Sequence, residues 1–337
     1  VKLNFISITA KEKICFCKGK ACNPDECPFT KNYYNKIQAV LRYALLTSDK
    51  FTYQDIVNIA LENEVCPFEF QLDLSLFCDV IVCDYNYMFD PTAYMKRYFD
   101  EDCSSYHALI DEAHNLVSRS KDMYSASLPL SLFKNTRKSI RHVENKKIKN
   151  LVSRTQKLFD EFEYLEPGEH IVENYSDEVF KKLLNFINKY QDLGKDRENK
   201  MPKEVTDLYI EINSFLKIAD LYSYRYINYI EVNEKDIILH IFCLDASGFI
   251  RARLNQIKSS LFFSATMAPI DYYKNTLGGD VEKDPHLILP SPFPNRNLKL
   301  LVAPKVSIKY KNREESELLR RGITKNELQY KRNRSKR

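Results

Sequence analysis

Read for apolar and polar positions, the chain switches repeatedly between a two-residue and a three-to-four-residue period. Leu3-Asn4-Phe5-Ile6-Ser7-Ile8-Thr9 alternates side by side and predicts a strand within residues 1–10. Helical stretches follow near Tyr34–Leu46 and Thr52–Glu62. Three short aliphatic runs, Asp79–Val82, Tyr106–Ile110 and Ser260–Phe263, have no polar alternation and read as strands of a buried parallel sheet. From about Leu116 to Tyr224 the chain is charged and helix-like. Leu151, Thr155, Leu158, Phe162 and Leu165 form one stripe, Val179, Leu183, Leu184 and Ile187 a second, and Leu208, Ile212, Phe215 and Ile218 a third. Such stripes are helix-packing faces. Tyr226–Val232 and Ile237–Leu244, parted by Asn233-Glu234-Lys235-Asp236, predict a β-hairpin leading back to the sheet.

The resulting class is α/β. At 337 residues and 44% hydrophobic content the chain can bury a sizeable core, in two or three domains. Seven glycines nearly exclude glycine-rich loops. From Arg320 to Arg337 eight basic residues face one acidic residue, too little apolar surface to fold alone. No apolar window is long enough to cross a membrane and no signal peptide opens the chain, so the expected setting is cytoplasmic, without a membrane partner.

The chemistry concentrates at two strand ends. Tyr106–Ile110 runs into Asp111-Glu112-Ala113-His114. Carboxylates just past the end of a parallel strand are placed to hold a phosphate-bridging Mg²⁺ and to orient an attacking water. Ser260–Phe263 runs into Ser264-Ala265-Thr266, whose small hydroxyls can bond a neighbouring loop or a phosphate oxygen. Asp-Glu-Ala-His resembles motif II of superfamily 2 helicases, the DEAH box, and Ser-Ala-Thr resembles their motif III.

Nine cysteines occur, and four stand beside turn-forming residues: Cys15, Cys22, Cys27 and Cys66, near Pro24, Pro28 and Pro67. Six, four and thirty-eight residues separate them in turn. Zinc modules normally carry closely paired cysteines at both ends, which this pattern lacks, whereas an iron–sulfur site tolerates looser spacing. Four structural or free thiols is the other reading. Cys78 and Cys83, around Asp79–Val82, and Cys243 read as core; Cys103 lies in a polar loop.

A cysteine-bearing segment before a DEAH box, then a long helical segment before Ser-Ala-Thr, resembles the XPD/DinG-like iron–sulfur DNA helicases. The resemblance implies a partial parallel-sheet motor domain 1 with an iron–sulfur insertion and a helical arch insertion. Its implied divisions are a motor strand at 1–10, the cluster domain at 11–75, motor sheet with DEAH box at 76–118, and the arch at 119–225. Hairpin and return to the motor domain would take 226–290 and the start of motor domain 2 would take 291–312; 313–337 fits the family poorly and reads from its composition as a basic, disordered tail. It implies a [4Fe–4S] cluster on Cys15, Cys22, Cys27 and Cys66, with Cys17 able to replace Cys15. Asp111 would hold Mg²⁺ and Glu112 would activate water for ATP hydrolysis, while His114, Ser264 and Thr266 would couple phosphate state to DNA. The implied reaction is ATP-driven 5′-to-3′ unwinding, with single-stranded or forked DNA as partner and a role in DNA repair.

Lys11, Lys13, Lys18, Lys20 and Lys31 surround the cysteines with Phe16, Phe29, Tyr33 and Tyr34 among them. That mixture fits sequence-independent single-strand binding and equally a solvated basic face with its aromatics turned inward. The net charge of +5 does not decide between them. Tyr85 and Tyr87, in Asp84-Tyr85-Asn86-Tyr87, resemble a family position near the single strand.

No Gly-x₄-Gly-Lys-Ser/Thr phosphate loop occurs in these residues, nor do arginine-bearing motifs of a second motor domain. The chain is therefore expected to be an incomplete helicase, inactive as an ATPase by itself and completed by missing motor-domain polypeptides. A non-catalytic nucleic-acid-binding module that keeps cluster and arch is the alternative, and a zinc-bound interaction protein with a chance DEAH box is the third reading.

Overall fold

The computed structural model describes residues 3–20, 22–92, 96–99, 104–195, 201–290 and 292–294. The chain divides into two compact units, Val1–Asp284 and Pro285–Arg337. The described part of the second unit carries no helix or strand. Cys103, the expected tail at 313–337 and nearly all of 291–312 lie outside the described residues.

The first unit opens with β1 (Phe5–Ser7), α1 (Lys11–Ile14), α2 (Tyr33–Thr47), β2 (Lys50–Phe51), α3 (Tyr53–Glu62), α4 (Pro67–Ser75) and β3 (Val80–Val82). The strands form a parallel sheet in the order β2-β1-β3, with Phe5 opposite both Lys50 and Val80. The alternation at the start of the chain decides its packing: Ile6 and Ile8 are buried with Val40, Ala44, Phe51, Ile56, Phe70 and Leu74. The cysteine-bearing segment thus contributes a strand and four helices to one core with β1. Thr52 starts α3, its amide donating to Asp55 at 2.8 Å. Pro67 starts α4, where its missing N–H costs nothing.

After α5 (Asn86–Phe89), α6 (Lys96–Phe99), β4 (His107–Ile110) and α7 (Leu116–Met123), the chain leaves the parallel sheets. β5 (Ala126–Pro129), α8 (Leu130–Ser139), α9 (Lys146–Gln156), β6 (Gly168–Val172), α10 (Asp177–Gly194), α11 (Lys203–Ala219), β7 (Tyr226–Val232) and β8 (Ile237–Cys243) build one layered body. Its four-stranded antiparallel sheet runs β5-β8-β7-β6. The expected hairpin is β7 and β8, but it pairs with β5 and β6 instead of returning to the parallel sheet. The apolar face of the hairpin is covered there. Tyr226, Ile230, Ile237, Leu239, Ile241 and Cys243 all face one core with Leu183, Phe186, Leu208, Ile212 and Phe215 from α10 and α11. Leu184, counted in the second stripe, points to solvent. Asn145 caps α9 by accepting from Lys147 and Ile148, and Ser176 caps α10 by accepting from Val179.

α12 (Ser247–Leu254) then leads to β9 (Ser259–Phe262), which pairs in parallel with β4, and α13 (Ile270–Thr276) follows. Ile110, Ala113, Leu116, Ile250 and Leu277 share a small core beneath this pair. Continuous burial of the aliphatic strands is not what these residues adopt. Leu109 is 73% exposed and Leu261 58%, and Val80 and Val82 are exposed on β3. One face of each strand is packed, and no described residue covers the other. Cys83, read as core, is likewise exposed, whereas Cys78 is half-buried and Cys243 buried. Among the described residues no helix is long and apolar enough to cross a membrane.

Candidate functional site

The parallel register of β4 and β9, with Ile110 opposite Phe262, brings both carboxyl ends to the same edge. The ladder runs one step past each strand: the Phe263 amide donates to Ile110 at 3.0 Å, and the Ala113 amide to Phe263 at 3.2 Å. This sets Asp111-Glu112 against Ser264. Both acidic residues are exposed. The Asp111 carboxylate accepts the Glu112 amide at 2.7 Å.

Glu112 occupies the left-handed region, φ 46°, a conformation that costs a non-glycine residue about 1–2 kcal/mol. The turn aims its side chain at its neighbours. Glu112 Oε2 lies 3.3 Å from His114 Nδ1 and accepts from Ser264 Oγ at 3.4 Å. His114 Nδ1 and Ser264 Oγ are 2.7 Å apart, and Ser264 Oγ also receives the Thr266 amide at 3.2 Å. Four of the five residues singled out at these strand ends, Glu112, His114, Ser264 and Thr266, therefore form one hydrogen-bonded network, with Asp111 at its edge.

Tyr85 belongs to this site in a way its sequence position did not indicate. Its hydroxyl donates to the carbonyls of Asp111 and Glu112, the latter at 3.1 Å, across the strained turn. The Arg119 guanidinium lies 4.9 Å from the Tyr85 ring centre and bonds Asp84 at 2.6 Å and Asn86 at 3.1 Å. Burial would raise the Asp84 pKa, but Arg119 and the Asn86 amide overcome it and hold the carboxyl below its ordinary value. Tyr85 is thus engaged in bracing the DEAH turn, and Tyr87 packs half-buried on the first core. Arg119 is the site residue that sequence reasoning missed; nothing in the spacing of α7 marks which cation will face Asp84.

The cysteines sit on irregular backbone at element ends: Cys15 after α1, Cys27 before a short 3₁₀ turn at Pro28–Thr30, and Cys66 before α4. Their mutual influence places several sulfurs as neighbours. The Lys11 ammonium pKa is raised by Cys22 and, more weakly, by Cys15 and Cys66, against the effect of burial. Burial, then Cys27, pushes the Cys17 thiol up, and Cys15 adds to it. Burial pushes Cys66 up, opposed by the Glu69 and Phe68 amides at the head of α4. Among the described residues no three His, Cys, Asp or Glu side chains are gathered tightly enough to hold a metal ion. The donors are of the kind an iron–sulfur group takes, thiols on irregular backbone, with Cys22, Cys15 and Cys66 all acting on Lys11, but they do not form an assembled ligand set. Cys27 acts on the Cys17 thiol, and both Cys17 and Cys15 stay open as the remaining donor. The exposed Asp111 carboxylate fits a hard divalent cation, which takes oxygen ligands.

The expected nucleic-acid residues divide. Lys11 lies over the Phe68 ring at 5.9 Å, Lys13 is exposed, and Tyr34 is exposed. Tyr33 is buried, its hydroxyl donating to Asp73 at 2.7 Å, and Phe16 packs on Phe29 at 4.8 Å. Tyr33 is therefore a strut between α2 and α4 and not a stacking platform.

The parallel register thus sets carboxylates at one strand tip beside hydroxyls at the next. The family model DEAD_2 matches residues 4–132. The general transcription and DNA repair factor IIH helicase subunit XPD of Schizosaccharomyces pombe is 27% identical over 141 residues, 41% of this chain and 18% of that protein. The regulator of telomere elongation helicase 1 homolog of Caenorhabditis briggsae is 33% identical over 107 residues, 29% of this chain and 10% of that protein. A solved XPD helicase superposes with a TM-score of 0.51 at 18% identity, covering 83% of this chain and 48% of that one, a likeness of fold. The matches thus span less than a fifth of these two curated relatives. The chain resembles XPD-like helicases, and the resemblance covers part of its own length and part of theirs.

Proposed function

We propose that this chain is part of an ATP-dependent DNA helicase that unwinds duplex DNA in the 5′-to-3′ direction. The observation that carries the reading is the Glu112–His114–Ser264–Thr266 network joining the tips of two parallel strands. Asp111 would hold Mg²⁺, and Glu112, free of any lysine or arginine ion pair among the described residues, would orient the attacking water and take its proton. Bound magnesium supplies neutralisation of charge on the β- and γ-phosphates. His114 and Ser264 would sense a change at Glu112 directly through their bonds to it, and Tyr85 would pass that change to the Asp84–Tyr87 turn beside single-stranded or forked DNA.

Cys22, Cys27 and Cys66, with Cys15 or Cys17, would hold a [4Fe–4S] cluster. The body built on β5–β8 and α8–α11 would be the arch over the strand. Lys203 of α11 donates to the Gly19 carbonyl at 3.0 Å, a contact between arch and cysteine segment that supports this division. The lack of a phosphate loop within these residues favours a second reading, a nucleic-acid-binding module without nucleotide chemistry.

Sequencing the coding DNA on both sides separates the two. The helicase reading requires a Gly-x₄-Gly-Lys-Ser/Thr segment there. It also requires that the assembled protein show DNA-stimulated ATP turnover falling at least about 100-fold in Glu112→Gln. The 337-residue chain alone is expected to show none; turnover by it would refute this division of labour.

A further inference from the structure

The antiparallel sheet, in the order β5-β8-β7-β6, ends on β6 and leaves the outer edge of that strand without a neighbour. Among the described residues no backbone bond reaches Gly168–Val172 except from β7. An open strand edge is a template for pairing with another chain, and proteins ordinarily blunt it with a covering loop or with charge. The register fixes which side chains border this edge. His170 and Val172 stand opposite Ile230 and Asn228, both buried, so Glu169 and Ile171, opposite Glu231 and Tyr229, turn to the outer face. Ile171 is 78% exposed. Charge by itself would protect the edge, whereas a bare β-branched side chain at its centre invites a partner.

The charge around the edge is of one sign. Residues 158–180 contain no lysine or arginine. Glu163, Glu166, Glu169 and Glu173 are all exposed, and Lys182, on the helix that follows, pairs with Glu178 instead. Among the described residues no lysine or arginine forms an ion pair with any of the four. At the hairpin tip Glu234 and Lys235 cancel. Glu169 also faces Glu231 across the strands, a like-charge pair that destabilises the sheet and that an added cation would relieve.

Those carboxylates decide the occupant. Nucleic-acid phosphates are repelled. A second copy of the same edge would set glutamate against glutamate. A basic extended segment meets opposite charge in Glu169 and Glu173, apolar contact on Ile171, and unpaired backbone groups along the strand. We propose that β6 is a docking edge for an extended segment of another protein, which adds as a further strand with lysine or arginine opposite Glu169 and an aliphatic side chain opposite Ile171. The edge stands independently of the helicase reading.

Fluorescence anisotropy of the whole chain tests it with the labelled peptide acetyl-Thr-Lys-Val-Ile-Thr-Lys-Thr-amide and its counterpart carrying glutamate for both lysines. The basic peptide binds and the acidic one does not. N-methylation of every second amide, in either of the two phases, separates strand addition from plain charge attraction. One phase abolishes binding because its amides face β6, and the other leaves it intact. Glu169→Lys weakens the basic peptide about tenfold and lets the acidic one bind. Should Glu169→Lys lose its circular dichroism, the two methylated peptides on the wild-type chain decide. Equal affinity of both methylated phases, equal binding of the acidic peptide, or no binding of the basic one would overturn the proposal. So would a single-stranded oligonucleotide, or a dimer in sedimentation, whose binding is lost in Glu169→Lys, since each would give the edge to a different occupant.

Discussion

Gln71 offers the sharpest test of how the cysteine segment is held. It lies in the middle of α4, fully buried, and acts as a double clamp. Its Nε2 donates to the Thr9 carbonyl at 2.7 Å, and its Oε1 accepts the Thr9 amide at 2.9 Å. The two bonds tie α4, with Cys66 at its head, to the residue that leaves β1 toward α1 and Cys15. In Gln71→Met the volume stays nearly constant while both bonds vanish. At about 0.5–1.5 kcal/mol per bond, the loss is about 1–3 kcal/mol. Thr9 is only half-buried, so water recovers part of this and the lower half of the range is expected. The appropriate measurement is native-state hydrogen exchange at the Thr9 amide, which reads local opening without assuming that the whole chain unfolds at once. Protection should fall roughly 5- to 30-fold, the factor the lower half of that range implies, while amides in α11 stay unchanged. If Thr9 exchanges at the wild-type rate in Gln71→Met, the clamp does not secure this segment.

Other expectations test separate parts of the molecule. His240 stacks on Tyr229 at 4.3 Å, and burial lowers its pKa from 6.5, with Glu231 opposing. A depressed histidine stabilises the fold above pH 6.5, and that contribution fades as pH falls through the folded value. Urea midpoints of wild type should therefore decline faster than those of His240→Gln between pH 7 and 5; parallel curves would refute the assignment. Phe215, fully buried against Tyr175, should cost about 3–5 kcal/mol as Phe215→Ala, read from the same urea curves. Anaerobic iron and sulfide loading should give a brown protein whose iron content drops sharply in Cys27→Ser and Cys66→Ser and is unchanged in exposed Cys83→Ser. A colourless, zinc-bound protein would refute the cluster.

Much of this molecule was legible in its sequence because the deciding interactions are local or periodic. The alternation at Phe5–Ile8, the stripe Leu208-Ile212-Phe215-Ile218 and the hairpin around Asn233–Asp236 each specify both an element and its buried face. Asp111-Glu112 and Ser264-Ala265-Thr266 could be paired in prospect because each ends an aliphatic strand. What the sequence could not determine is what lies across each strand. Leu109, Leu261 and Val82 look like core residues by type, yet burial depends on a neighbouring layer, and no described residue supplies one. The hairpin's partners were equally invisible, since β7 and β8 carry the same alternation whichever sheet they join. Only the tertiary structure brought Tyr85 and Arg119 onto the DEAH turn, from 26 and 27 residues before Asp111 and Glu112 and from the helix after them. It likewise left the outer edge of β6 without a neighbouring strand. Those are matters of distance between remote segments, which chain folding sets and local periodicity does not encode.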